Sequence, residues 1–435
     1  MKTTPIDSLQ GGVNLDPVGD PAPFRVGILT FHSQLNYGGV LQAWALQEAL
    51  RGLGCDVRVI DRWQSPTAVF LWGLLARRTP MAFARLALCM ALGCGRVADT
   101  LRRARTARFI RDCLALTPYH FYRWEELEGR DLGLDCVVVG SDQVWTTAAE
   151  NNEPDVYLLQ GAPGHPKAIS YAASFSTPDV SERWRRTFLE GLARFSAISV
   201  REAQGVAIAE RLGFRAEHVL DPTQLIPAAV WRERLGVRPR PAGAKPMLVC
   251  YFMQGFASEA LLPRLRALRR FAKRTGCEVH LLLDCSYTDL PHGPKALLAH
   301  LRRLGRYLAA ARGIHVHRAA GPREFVGLFA NATWVLSESF HAMMFASLFG
   351  KGMRVLTPPD DGSVRRRAFS RFESFAGKYV HGPLFAESVG EALDSFARGE
   401  RVTFDETALE ADRTRSREWL RAALDRVRGE PATQG

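Results

Sequence analysis

Short β-rich runs alternate with longer helical patterns along nearly the whole chain, and this alternation restricts the fold more than any other feature. Strands separated by helices cannot pair as hairpins; they return through crossovers, lie parallel, and carry helices on their faces. Residues 25–31, 56–60, 135–139, 168–172, 197–200 and 217–220 read as strands of one series. The spacing of Leu41, Ala45, Leu46, Ala49 and Leu50 predicts a helix over 38–50, stopped at Gly52 and Gly54. A second helix is expected over 202–212, ended by Gly213. A second series follows, with strands at 247–252, 278–283, 314–316, 334–337 and 354–357. Its helices are expected near 257–275, 294–311, 322–331 and 340–349.

A chain of 435 residues exceeds what a single core usually serves. The expected fold is therefore α/β, with two Rossmann-like domains, 25–222 and 245–400, facing a central cleft. Pro227, Pro239 and Pro241 mark a linker over 222–244. Residues 1–24 show no apolar period and read as a flexible arm without a secretory signal, and 401–435 as a terminal helix (408–427) and tail. A helical insertion at about 63–130 interrupts the first domain. Its longest uncharged apolar stretches, 68–76 and 86–95, are far shorter than the ~20 residues a spanning helix needs. Ligands bind such sheets at the carboxyl ends of the strands, which places the cleft there.

Lys and Arg number 57 against 45 Asp and Glu, a net charge of +12 that favours anionic partners. No nucleic-acid motif accompanies it, so nucleic acid is not an expected partner. The eight cysteines lie mostly in apolar runs without Cys-x-x-Cys spacing, the pattern of reduced thiols in a cytoplasmic protein. His315 and His317 alternate on an expected strand and give only a thin hint of metal binding, so no metal site is expected.

Four loops at the expected carboxyl ends could carry chemistry. Asn36, Tyr37, Gly38 and Gly39 open the first helix, where paired glycines let backbone approach an anion or simply make a tight turn. Ser141, Asp142, Gln143 and Trp145 follow the third strand. Carboxylate and amide suit sugar hydroxyls and Trp145 an apolar sugar face; alternatively the loop is an Asx turn with Trp145 in the core. Arg201 and Glu202 follow the fifth strand, either as a guanidinium for carboxylate or phosphate or as a surface pair. Ser339 stands to cap a helix whose first turn carries His341, a side chain suited to proton transfer near neutral pH.

These four motifs, in this order, resemble the polysaccharide pyruvyl transferase family. The connecting phrases Gly27–Phe31, Ile169–Phe175 and Leu220-Asp221-Pro222-Thr223 belong to the same resemblance, which runs from about Arg25 to about Arg367 apart from most of the insertion. It implies a fold similar to two-Rossmann GT-B glycosyltransferases. It also implies transfer of a pyruvyl group from phosphoenolpyruvate, as co-substrate, to two hydroxyls of a saccharide or lipid-linked saccharide, forming a ketal and releasing phosphate. Arg201 and His341 then fall on the family's functional positions. Some members carry Arg two residues before the His, where this chain has Ser339; many read Asp-Ser-Phe-His-Gly, where it has Glu338 and Ala342. No resident cofactor is implied.

Two other readings stay open on the residues alone. A nucleotide-sugar glycosyltransferase would need a pyrophosphate and ribose site, for which Gly321-Pro322-Arg323-Glu324 is a candidate, although Pro322 more simply starts a helix. A binding module for anionic polymer would use the surplus charge alone. The insertion adds an expectation of its own. Arg96, Arg102, Arg103, Arg105, Arg108 and Arg111 crowd a helix whose stripe is Val97, Leu101, Ala104 and Arg108. Residues 66–111 therefore either lie on an anionic membrane, at the inner face of the cytoplasmic membrane, or pack on the first domain through Leu and Ala.

Overall fold

The computed structural model describes residues 23–33, 36–62, 95–147, 153–164, 166–253, 261–283, 294–361 and 363–429. The first half builds a parallel sheet from β1 (Arg25–Leu29), β2 (Asp56–Val59), β3 (Cys136–Val139), β4 (Ala168–Ala173), β5 (Phe195–Val200) and β6 (Glu217–His218), ordered β2-β1-β3-β4-β5-β6. The second half repeats the plan with β7 (Met247–Phe252), β8 (Glu278–Leu283), β9 (Ile314–His317), β10 (Trp334–Ser337) and β11 (Gly352–Leu356). Further on come β12 (Val380–His381), β13 (Phe385–Ala386) and β14 (Thr403–Phe404). The second sheet runs β13-β11-β10-β7-β8-β9, also parallel, while β12 and β14 form a separate antiparallel pair. Every residue of β3, β4 and β7 is buried, as in strands covered on both faces. Strand order reverses between β1 and β3 in one sheet and between β7 and β10 in the other. Such switch points open a crevice at the carboxyl ends.

Several expectations need correction. The strand predicted over 25–31 ends at Leu29, because Thr30 turns away and its hydroxyl donates to the Ser141 carbonyl, tying two site loops together. The stretch expected as a linker is not bare chain. It holds a 3-10 turn, Pro222–Gln224, and a helix, Ala228–Leu235, whose Trp231 is buried between Trp44 (4.5 Å) and Phe345 (5.1 Å). One aromatic core thus joins the two halves. Helix Glu182–Leu192 was not anticipated, nor were β12 to β14, which are two residues each and too short for a periodicity to register. The terminal helix, Glu406–Gly429, crosses back to the first half: Ser416 Oγ accepts from Leu220 N (3.1 Å), and Lys167 Nζ donates to Val427 O (2.9 Å).

The two apolar stretches of the insertion, 68–76 and 86–95, lie outside the described residues except for Gly95. The basic helix, Gly95–Cys113, is described and does not pack through its Leu and Ala. Arg102, Thr106 and Phe109 are buried instead, while Leu101 is 49% exposed. Arg102 lies over the Tyr37 ring at 4.5 Å, and its Nη1 reaches Leu283 O in the second half (3.5 Å). Arg105 Nη1 donates to Ala319 O (3.0 Å) and pairs with Glu324 (3.1 Å). The helix therefore straps the halves together across their seam. No helix among the described residues is long and apolar enough to cross a membrane.

Candidate active site

The loops after β3 and β5 and the start of helix Phe340–Leu348 meet at one buried carboxylate, Asp221. Its Oδ1 accepts from Thr223 N (3.0 Å) and Thr223 Oγ1 (2.7 Å). Its Oδ2 accepts from Ser141 Oγ and from Arg201 Nη1, both at 3.0 Å, and His341 Nε2 stands 3.6 Å away. That separation is beyond hydrogen-bond range. Burial alone would push the Asp221 carboxyl up. The neighbouring His341 and Arg201, with the Thr223 hydroxyl, overcome this and hold it well below the usual carboxylate range.

Arg201 and Glu202 are not a surface pair. Both are buried, at 5% and 4% exposure. Arg201 Nε donates to Glu202 Oε1 (3.1 Å), which also accepts from Ser174 Oγ (2.8 Å). Burial works against the Arg201 charge, but Glu202 and Asp221 outweigh it and keep the guanidinium protonated. Its Cζ lies 4.6 Å over the ring of Phe340, the residue before His341.

Gly38 and Gly39 do not form an open anion cradle. Asn36 Oδ1 already accepts from Gly38 N (3.0 Å), capping helix Tyr37–Arg51. A Cβ on Gly38 would fall 2.0 Å from His341 Nδ1, so the missing side chain makes room for the imidazole. A Cβ on Gly39 would meet Phe31 O at 2.9 Å and Asp142 Oδ2 at 3.2 Å. Tyr37 faces the seam, stacked on Phe325 at 4.6 Å with its hydroxyl donating to Ala320 O (2.8 Å). Of the two readings open for Trp145, a sugar platform or a core residue, the structure matches the second: it is fully buried among Phe175, Phe188 and Phe195. Ser339 occupies the N-cap position, but its side chain makes no capping bond.

Asp142 keeps a place in the site. Its φ of +87° lies in the left-handed region, a conformation costing about 1–3 kcal/mol that persists where the surroundings impose it. Its Oδ1 accepts from Gln143 N (2.8 Å), while Oδ2 is buried without a partner.

Two site residues escaped the sequence reading. Asp221 was noticed only within a connecting phrase. Arg371, on helix Ser370–Tyr379, lies beyond the last motif and carried no local signal. Its Cζ stands 5.4 Å from the centroid of the same Phe340 ring. Gln143, with its amide oxygen turned toward it, accepts from both Nη atoms, 3.3 Å from Nη2. Burial and the nearby Arg201 push Arg371 down to about 10. Arg371 and Gln143 also line the inner wall of a cavity of about 820 Å³ at the carboxyl ends of β7, β10 and β11. Arg264, Arg270, Glu338, Thr357 and Glu387 supply much of its polar wall. Glu338 is held there by Arg264 Nη1 (2.6 Å) and Met253 N (3.2 Å).

Gly321–Glu324 offers no nucleotide site. Pro322 starts helix Pro322–Asn331, and Glu324 is occupied by Gly321 N (3.0 Å) and Arg105. His315 and His317 stack with His280 at 4.7 and 5.1 Å; burial and the neighbouring imidazoles push His280 down to about 4. Among the described residues, no group of three or more His, Cys, Asp or Glu is arranged to hold a metal.

Two parallel-sheet α/β halves thus meet with the candidate site, a cluster of buried charged groups, between the sheets. The profile of the family "Polysaccharide pyruvyl transferase" matches residues 36–359, and the chain belongs to that family, one of transferases. No curated protein matches it. Solved structures similar to it include a Staphylococcus aureus protein, MnaA with UDP (11% identity, 95% of this chain and 100% of that one, TM-score 0.47). Another is the UDP-GlcNAc 2-epimerase of Neisseria meningitidis bound to UDP-GlcNAc (12% identity, 86% and 91%, TM-score 0.45).

Proposed function

We propose that the chain transfers the pyruvyl group of phosphoenolpyruvate to a saccharide diol, free or lipid-linked, releasing phosphate. The observation that carries this reading is a cluster of buried polar atoms without partners: Asp142 Oδ2, Arg201 Nη2, His341 Nε2 and Arg371 Nε. Each would cost about 1–3 kcal/mol if left unpaired, and together they match a small ligand that is anionic and needs a proton moved. Phosphoenolpyruvate is such a ligand.

The chemistry follows from the atoms at hand. His341 Nε2 delivers a proton to the methylene carbon, whose electron pair comes from the breaking C=C double bond, and the central carbon becomes cationic. An acceptor hydroxyl adds there and gives up its proton, which Asp142 Oδ2, buried without a partner, receives. Phosphate then leaves with the C–O electron pair, and the second hydroxyl closes the ketal. Of the two hydroxyl protons, one balances the proton placed on the methylene carbon and the other leaves with phosphate. Arg201 stabilises the anionic groups while the charge moves. The cavity beyond Gln143 and Arg371 offers the acceptor saccharide space and polar walls. A membrane-presented acceptor fits the exposed side of helix Gly95–Cys113, where Leu101, Arg108 and Arg111 face outward.

The test is release of inorganic phosphate from phosphoenolpyruvate by the purified protein, dependent on added saccharide acceptors. Acceptor-independent silence across a panel of diols, together with a co-purifying UV-absorbing nucleotide, would favour glycosyl transfer instead.

A further inference from the structure

Arg371 has no role in any motif, yet it is the least compensated cation of the site. Arg201 is matched by Glu202 and Asp221 at 3.1 and 3.0 Å. Arg371 makes no ion pair among the described residues; its partner is the neutral amide of Gln143, and its Nε is buried without a partner. Both guanidiniums lie over the Phe340 ring, at 4.6 and 5.4 Å from its centroid. Two like charges thus meet at one ring, where Arg201 disfavours the charge of Arg371. Ser339, two residues before His341, adds no charge of its own.

Resting on the pyruvyl-transfer reading, we infer that Arg371 and Arg201 form a two-guanidinium clamp for a small dianion bearing a carboxylate and a phosphate. Arg371 Nε and Arg201 Nη2 are its open donors, and Gln143 sets the angle of Arg371. Each guanidinium thus offers one open nitrogen, and a charge-assisted hydrogen bond from each takes one anionic group. A dianion between the two guanidiniums would offset their mutual repulsion, and the affinity for the donor then depends on both residues. Arg371 also lines the cavity, so one arm of the clamp borders the space proposed for the acceptor.

Full-length wild type, Arg371→Gln and Arg371→Lys would be compared in two measurements, after matching circular dichroism and melting temperatures. The first is calorimetric binding of phosphoenolpyruvate and of inorganic phosphate. The second is steady-state phosphate release with each substrate varied in turn. The clamp predicts at least about tenfold weaker binding of both anions by Arg371→Gln, partial recovery in Arg371→Lys, and a raised KM for the donor with little change for the acceptor. If wild type binds both anions through Arg371 but never consumes phosphoenolpyruvate, the clamp stands and the pyruvyl donor is wrong. If wild type consumes phosphoenolpyruvate and Arg371→Gln matches it in binding and donor KM, the clamp is overturned. An absence of anion binding by wild type overturns it as well.

Discussion

The imidazole of His341 occupies the space that a side chain on Gly38 would fill: a Cβ there would stand 2.0 Å from His341 Nδ1. These residues come from different halves of the chain and lie 303 positions apart by their numbers in the sequence. The ring is thereby wedged between the first turn of helix Tyr37–Arg51 and the carboxylate of Asp221, with Nδ1 toward Gly38 and Nε2, buried without a hydrogen-bond partner, 3.6 Å from Asp221 Oδ2. Gly38→Ala must displace it. Turnover is expected to fall at least about tenfold with a stability loss of about 1–3 kcal/mol, the usual range for overpacking. Steady-state rates and thermal melts decide the matter, and a fully active Gly38→Ala would show that the ring's position is not required.

His341→Ala is expected to fold normally and lose about 10²–10⁴ in kcat, the range for a missing acid or base. Single-turnover phosphate release at saturating donor is the measurement. Turnover like that of wild type would return His341 to a packing role.

Asp221→Asn removes the acceptor shared by Ser141 and Arg201 and is expected to destabilise by up to about 3–5 kcal/mol near neutral pH. The folded carboxyl titrates below its ordinary range. Its stabilisation is therefore whole above the unfolded value of about 4 and is lost as pH falls toward the folded one. Denaturant titrations of both proteins should show the gap narrowing below about pH 4. A gap that stays constant on acidification would mean that the Asp221 charge does not support the fold.

Trp145→Ala should behave as a core mutation, costing about 3–5 kcal/mol with little effect on acceptor KM in protein that remains folded. A selective loss of acceptor binding at unchanged stability would restore the sugar-platform role that its burial argues against.

For the membrane, the informative substitutions exclude Arg102, which is buried under Tyr37. Wild type is expected to sediment with anionic vesicles at low salt and to be released as salt rises, since each engaged cation contributes about 1 kcal/mol. The triple variant Leu101→Ser, Arg108→Gln, Arg111→Gln should remain in the supernatant. Equal pelleting of the two proteins would leave this helix as an interdomain strap alone.

The order of elements was legible because burial on both faces leaves near-continuous aliphatic runs, and the connecting helices keep their own period. The positions of Arg201 and His341 were legible for a related reason: in parallel sheets, function collects in the loops after strands, and those loops can be counted along the chain. The fate of Trp145 was not legible. Helix Glu182–Leu192 delivers Phe188 to its ring, and that contact exists only once both elements have packed. The insertion misled in the same way. Its Leu-and-Ala stripe looked like the packing face, but the seam accepts Arg102, because Tyr37 offers a ring and Leu283 a carbonyl.

The sequence by itself determined two parallel-sheet halves, four polar loops at their carboxyl ends, and the family to which those loops belong. Only the tertiary structure decided that Asp221 joins Ser141, Arg201 and His341, and that Arg371 arrives beside Arg201 over one phenyl ring. The physical reason is range. Strand and helix periods are set by neighbours a few residues apart, whereas the charge, burial and unpaired donors of a site depend on groups that the chain brings together from hundreds of residues away.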